Sequence, residues 1–392
     1  TRMNHCDWNA RDREMYERLT TQEGPLRAPK STDIQDDDTV TVTVDDSWGM
    51  EIPVDADAMV RIAADDLHAF MSERLGMQLT KADEATRNIV VRHCDPSCGP
   101  QGDNKRKHTI RVDADTVHIE ASTEWGLACG LYHLQRLLRM ARAPRLPLGT
   151  IRAHPVLDPA LTCLAFKREN YEGLGFPQAY HPGYLARIAR AGHTGFHVEV
   201  FLDVLCESQV LPELDNPDAE RNIETLRQVV TRSREHALDV FFVPYIRPLP
   251  GDHSLFRRDP GTRGSELVSM PGRHVLCSSS ERVQRFYNEQ FSTLFSRIPE
   301  LAGLVLITGC EGLLHCYTAP VARPRNRTSC PACGKRPPEP AVAQMVNGIA
   351  AAVHNVAPSN PVVFWPYGAY TWAGTPDAAQ TVEKLSSDCM VM

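Results

Sequence analysis

The sequence predicts an α/β protein: a small α+β domain followed by a (β/α) barrel of TIM type. Three observations carry this. From about residue 155 onward, short apolar runs rich in branched residues alternate with helical patterns long enough to cross back over a sheet, the order that builds a parallel sheet. Before that point the strand patterns follow one another around two amphipathic helices. Between the two regions lies the Pro-rich joint APRLPLGTIRAHPVLDPA. No Gly-x-Gly-x-x-Gly loop follows the early strands, which argues against the nucleotide-binding form of a parallel sheet.

Residues 1–38 are polar and turn-rich and end in Asp36-Asp37-Asp38; they are expected to form a flexible arm. Residues 39–147 form the α+β domain. TVTVTV alternates with period two, and AMVRIAADDLHAFMSERLG has helical spacing and closes on Gly76, a residue favoured at helix C-termini. IVVRH is a further strand, and HTIRV and TVHIEAS flank Asp113-Ala114-Asp115 as a hairpin. EWGLACGLYHLQRLLRM then lines Leu127, Leu131, Leu134 and Leu138 along one helix face. Residues 155–392 form a partial barrel. Its strands are expected at 161–166, 195–202, 238–246, 301–308, 361–367 and in the terminal CMVM, with helices at about 182–192, 217–236, 280–297, 338–356 and 376–385. A complete barrel has about eight strands, so the sequence is expected to be C-terminally truncated, with two strands beyond Met392.

Composition excludes several classes of partner. The 392 residues are 42% hydrophobic and 23% charged, without an apolar run of membrane-spanning length, so no membrane association is expected. A net charge of -7 offers no basic face for nucleic acid. The twelve cysteines are scattered, and the opening TRMNHCDWNA lacks a signal-peptide pattern; both lean towards reduced thiols and a cytoplasmic compartment.

The stretch GLVLITGCEGLLHC places Glu311 just past a buried strand, where α/β folds gather their chemistry. A carboxyl there, beside Leu313 and Leu314, would be desolvated and suited to general-acid work; a solvated loop glutamate or a salt-bridge partner of Arg168 is the alternative. The second carboxylate is open among Glu169, Glu172, Glu199 and Asp203 and the strands expected beyond Met392; for each of the four, bracing the barrel mouth through hydrogen bonds is the plainer reading. Arg168-Glu169-Asn170-Tyr171, Tyr245 with Arg247, and Trp365, Tyr367, Tyr370 and Trp372 all follow strands, and together offer forked donors and flat rings suited to a sugar. Packing at the rim would account for the aromatic residues equally well.

Cys330-Pro-Ala-Cys333 has the spacing that lets two thiolates reach one tetrahedral ion. Cys316, with either His315 or Cys310, could complete a structural zinc site; free loop cysteines are the alternative. Cys94-Asp-Pro-Ser-Cys98 is a looser candidate for a second site. No cofactor is expected for catalysis.

The order of elements, with EWGLACGLYHLQRLL closing the first domain ahead of a Pro-rich joint and a barrel, resembles the glycoside hydrolase family 20 β-N-acetylhexosaminidases. The resemblance covers about residues 45–392 and implies a carbohydrate substrate. It places Thr308-Gly309-Cys310-Glu311 on the family's Gly-Gly-Asp-Glu motif after the fourth strand. Glu311 falls on the general acid, Cys310 stands where the family has its acetamide-orienting aspartate, and Arg168 falls near a sugar-holding arginine. The expected function is thus cleavage of a β-linked amino sugar or related glycoside by a diverged relative. An α-glucuronidase-like hydrolase and a non-catalytic carbohydrate-binding scaffold are the alternatives.

Overall fold

The computed structural model describes residues 40–95, 104–163, 180–318, 328–369, 372–373 and 378–392, together with Glu14 and Glu17. The expected N-terminal arm lies largely outside them. Strands β1 (Thr41–Thr43), β2 (Trp48–Glu51), β3 (Arg87–His93), β4 (His108–Val112), β5 (Thr116–Ala121), β6 (Arg145–Pro147) and β7 (Gly149–Ala153) come first, with helices Ala58–Leu75 and Glu124–Ala141. Five of the strands form a sheet in the order β2-β3-β5-β4-β7. β4 and β5 pair antiparallel around the expected turn, while β3 runs parallel to β2 and β5. β1 pairs instead with β6.

Local chemistry sets the helix ends. Asp57 accepts from the N–H of Val60, and Gly76 closes the same helix at φ 66°, a left-handed conformation that glycine takes at little cost. Thr123 caps the second helix through Gly126 N–H. Leu127, Leu131, Leu134 and Leu138 are fully buried along that helix, as their spacing predicts. A Cβ on Gly130 would stand 2.4 Å from the Ile119 side chain, so glycine lets helix and sheet meet.

A second run of strands follows: β8 (Leu161–Cys163), β9 (Gly195–Phe201), β10 (Asp239–Tyr245), β11 (Leu249–Pro250), β12 (Arg263–Leu267), β13 (Met270–Leu276), β14 (Gly303–Ile307), β15 (Val362–Trp365) and β16 (Cys389–Val391). Helices Pro182–Arg190, Ala219–Arg234, Glu281–Arg297 and Pro338–His354 alternate with them, and Ala379–Val382 adds one further turn. Six strands form one sheet, ordered β16-β15-β14-β10-β9-β8, and β10/β14, β14/β15 and β15/β16 pair parallel. The sheet curls. β10 and β14 separate β9 from β15, a flat span of about 14 Å at normal strand spacing. Yet the rings of His197 on β9 and Trp365 on β15 lie 6.4 Å apart. This is a parallel half-barrel whose concave face carries His197 and Trp365.

The segment between β10 and the helix Glu281–Arg297, for which the sequence suggests no structure, forms its own antiparallel sheet in the order β11-β13-β12. Its strands carry Arg263, Glu266, Arg273 and His274, which hide the apolar alternation.

The chain parts into two compact units, and the division is not a single linker. Thr1–Thr162, Gln178–Phe196 and Thr231–Asp239 form one; Cys163–Pro177, His197–Val230 and Val240–Met392 form the other. The first unit is held by a buried cation. Arg106, 2% exposed, gives one nitrogen to the Asp158 carboxylate at 3.0 Å and the other to Asp239 at 2.6 Å and the Thr194 carbonyl at 2.9 Å. Lys105 adds a 2.9 Å bond to Asp239 and lies 3.7 Å from the Trp125 ring centroid. Removing one partner of a buried ion pair strands the other without water. Asp239→Ala is therefore expected to cost about 3–5 kcal/mol in urea unfolding, and a loss below about 1 kcal/mol would show the network to be solvated.

The same unit buries histidines in their neutral form. His108 donates from Nδ1 to the Arg106 carbonyl and accepts at Nε2 from His133 Nδ1–H at 2.9 Å. Burial lowers the pKa of His108, His133 and His236 to about 4 in each case. Between pH 6.5 and 4 the unfolded chain therefore binds more protons than the folded one, and stability present at pH 7 falls as the pH falls. The urea midpoint is expected to drop steadily over that interval, and His108→Gln should flatten the slope. A midpoint constant from pH 7 to 4.5 would contradict this.

Candidate functional site

The turn carrying Glu311 is built from backbone packed against backbone. β14 ends at Ile307, and Cys310–Gly312 form one 3-10 turn. The Thr308 carbonyl accepts from His315 Nε2–H at 2.7 Å and from Trp372 Nε1–H at 2.8 Å. His315 Nδ1 in turn accepts from the Tyr317 N–H, and burial lowers the ring's pKa to about 4, so it is neutral. The Gly312 carbonyl accepts from Ile246 N–H at 3.2 Å, tying the turn to the segment after β10. Cys310 and Leu313 hold φ values of 45° and 53°, left-handed conformations that cost non-glycine residues about 1–2 kcal/mol each. Glycines make the packing possible: a Cβ would fall 2.2 Å from the Tyr367 carbonyl at Gly309 and 2.0 Å from the Ile307 carbonyl at Gly312. The backbone of Glu311 is thus fixed just past the fourth strand of the half-barrel, counting β8, β9, β10 and β14.

On the concave face, Glu199 is 1% exposed and its carboxylate accepts from His197 Nε2–H at 2.8 Å. Residues 197, 199 and 201 share one face of β9. Nearer the strand ends, the Phe201 and Tyr245 rings lie 6.1 Å apart. The Arg247 guanidinium sits 4.1 Å from the Phe201 ring centroid and donates to Asp203 at 3.1 Å. Trp365 is half-buried and meets Tyr367, 50% exposed, at 5.5 Å.

Two of the expected sugar-binding aromatics are placed otherwise. Trp372 is fully buried, spends its N–H on Thr308 and meets the His315 ring edge-on at 5.3 Å, so it braces the turn from inside. Tyr245 is 2% exposed and presents no open ring face. Trp365 and Tyr367 keep accessible surface. Arg168, Glu169, Asn170, Tyr171, Glu172 and Tyr370 lie outside the described residues.

The thiols form a group that differs from the expected one by a single member. Cys277, Cys316, Cys330 and Cys333 bring their sulfurs within 4.8 Å of one another, and all four are buried. Cys277 comes from the end of the β13 segment. His315 is not in the group, because both its ring nitrogens are bonded to backbone, and neither is Cys310, whose sulfur lies against Gly368. The hydrogen bond with Cys277 is the largest influence holding Cys333 below the ordinary thiol range and lowering Cys330 to about 7. Cys94, the looser candidate, is disulfide-bonded, so it has no thiolate to offer a metal, and the expectation of reduced cysteines does not extend to it.

No family model matches the chain, and no curated protein matches it. Solved structures do match. The exo β-N-acetylglucosaminidase of glycoside hydrolase family 20 from Vibrio harveyi, solved with N-acetylglucosamine, aligns with a TM-score of 0.52 at 12% identity, over 90% of this chain and 55% of its own. The family 20 β-N-acetylhexosaminidase of Streptomyces coelicolor A3(2) gives 0.54 at 15% identity, over 90% and 66%. A glycoside hydrolase family 138 enzyme targeting pectin rhamnogalacturonan II gives 0.57 at 12%, over 88% and 38%. The chain spans about half the length of the first of these proteins. No helix among the described residues is long and apolar enough to cross a membrane. In fold, the chain is similar to the family 20 β-N-acetylhexosaminidases.

Proposed function

We propose that the protein is a glycoside hydrolase cleaving a β-linked amino sugar, with Glu311 as general acid and N-acetylhexosaminides as the first substrates to test. The observation that carries this reading is the position of Glu311, on a braced turn just past the fourth parallel strand, where the resemblance to family 20 expects the acid. The fold it shares with β-N-acetylhexosaminidases supports the reading. Trp365 and Tyr367 supply the stacking surface for a sugar ring, and Arg247 with Asp203 supplies polar contacts to hydroxyls.

Cys310 bears on mechanism. A thiol is a weak acceptor and cannot hold an acetamide N–H as a carboxylate does. The reaction then needs a second protein carboxylate; Glu199, held by His197 on the concave face, is one candidate for it, and Asp203 just past the end of β9 is another.

Glu311→Gln should lower turnover by about 100-fold or more on substrates with sugar leaving groups and far less on activated aryl glycosides, which need little protonation. Equal loss on both would remove Glu311 from the acid role. Binding and stability are expected to separate at the aromatic residues. Tyr367→Ala should raise KM several-fold and change stability by no more than about 0.5 kcal/mol, whereas Trp372→Ala should cost about 3–5 kcal/mol through the lost core ring. If Tyr367→Ala leaves KM unchanged, the stacking surface lies elsewhere.

A further inference from the structure

We infer that Cys277, Cys316, Cys330 and Cys333 form a tetrathiolate site for one structural zinc ion. Zinc bound by four thiolates at about 2.3 Å in a tetrahedron sets its sulfurs about 3.8 Å apart. Here Cys277 Sγ lies 3.5 Å from Cys330 Sγ and 3.8 Å from Cys333 Sγ, and no pair in the group exceeds 4.8 Å. A disulfide needs about 2.05 Å, and all four cysteines are free. Exposure runs from 0% at Cys316 and Cys333 to 1% at Cys277 and 3% at Cys330.

The surroundings suit a bound ion. Four thiolates around Zn²⁺ leave two net negative charges, which need donors close by. Ser279 Oγ lies 3.1 Å from Cys333 Sγ, and Arg336 Nη1 donates to that same hydroxyl at 3.0 Å. Partners of this kind around metal ligands orient them and stabilise their charge. The knuckle is pre-shaped: Gly334 N–H donates to the Cys330 carbonyl at 2.8 Å, and the Tyr317 hydroxyl donates to the Cys333 carbonyl at 3.0 Å. Glycine at 264 leaves room for the Cys316 sulfur, since a Cβ there would stand 2.8 Å from it.

Four protein ligands close the coordination sphere, so the ion holds structure and does no bond cleavage. It joins three segments: the end of the β11–β13 insertion through Cys277, the segment after Glu311 through Cys316, and the Cys-x-x-Cys turn. Cys316 adjoins His315, which grips the Thr308 carbonyl at the base of the Glu311 turn. The ion thereby anchors that turn to the insertion.

The test is metal analysis of the full chain purified without chelator. About one zinc per chain is expected, released when a mercurial reagent titrates four thiols. Cys277→Ser should lower the zinc content about ten-fold or more, while Cys310→Ser, which removes a thiol outside the group, should keep it. If Cys277→Ser does not fold, native mass spectrometry of the wild-type chain still decides, through the mass of one zinc lost on chelation and regained on its return. Cobalt substituted for zinc should show thiolate-to-metal charge transfer and tetrahedral visible bands. A zinc-free wild-type protein that takes up none when zinc is supplied would overturn the proposal. So would iron in place of zinc, or zinc retained in full by Cys277→Ser. None of these readouts depends on glycosidase activity, so this inference and the proposed function stand or fall separately.

Discussion

The main-chain carbonyl of Thr308 is the point on which the strand-end turn depends. It is buried at the end of β14 and accepts from two ring N–H groups, one on His315 and one on Trp372. Both rings are fully buried, and losing His315 would also leave the Tyr317 N–H without its acceptor, at a cost of about 1–3 kcal/mol. The rings also touch edge to face, so neither can turn away without disturbing the other. Around this bracket the chain tolerates strained left-handed conformations at Cys310 and Leu313, because Gly309, Gly312 and Gly368 bring backbone against backbone too closely for a relaxed alternative. The strained residues flank Glu311, so the backbone of the proposed acid is held on both sides.

The N-terminal unit is organised by electrostatics where the strand-end turn is organised by packing. Arg106 sits in the core with its charge divided between Asp158 and Asp239 and a further bond to a main-chain carbonyl. A planar fork of donors suits that arrangement, and lysine would not reproduce it. Trp125 adds its face to Lys105, Arg106 and Arg234. Asp158 belongs to the Pro-rich joint and Asp239 opens β10, so the network draws segments far apart in sequence into one unit.

How much of this the sequence reveals depends on whether a feature is local. The inner strands of the curved sheet are legible because a strand covered on both faces is largely apolar, as Leu304-Val305-Leu306-Ile307 is. The leucine stripe of Glu124–Ala141 is legible from its period. The β11–β13 sheet is not, since its short strands carry charges and one bulges. With that sheet unseen, Cys277 has no place near the Cys-x-x-Cys turn, and the nearby His315 and Cys310 look like better ligands than a cysteine 53 residues away from Cys330. The roles of Trp372 and Tyr245 are hidden for a related reason: an aromatic residue after a strand can lie inside or outside the rim, and only tertiary packing decides. Arg106 gives no sign of burial, because its counter-charges are remote in sequence.

Cys310 is where the proposed chemistry departs from the resemblance. In substrate-assisted cleavage the acetamide acts as nucleophile and an aspartate holds it in place. A thiol against Gly368 offers neither charge nor a strong acceptor. On the proposed reading, the substrate's own group would lose its orientation, and the positive charge developing in the transition state would have to be met by a carboxylate of the protein. Glu199 is one candidate for that carboxylate: it is buried on the concave face and bonded to His197, whose ring lies 6.4 Å from that of Trp365. The separation of the two carboxyl groups then sets the stereochemical outcome. About 5–5.5 Å favours a covalent intermediate and retention, while about 6.5–9.5 Å leaves room for a water and inversion. On the proposed reading, a cysteine at position 310 would shift the burden of catalysis from the substrate's acetamide to a carboxylate of the protein, and would relax the demand that the sugar carry an acetamide at all.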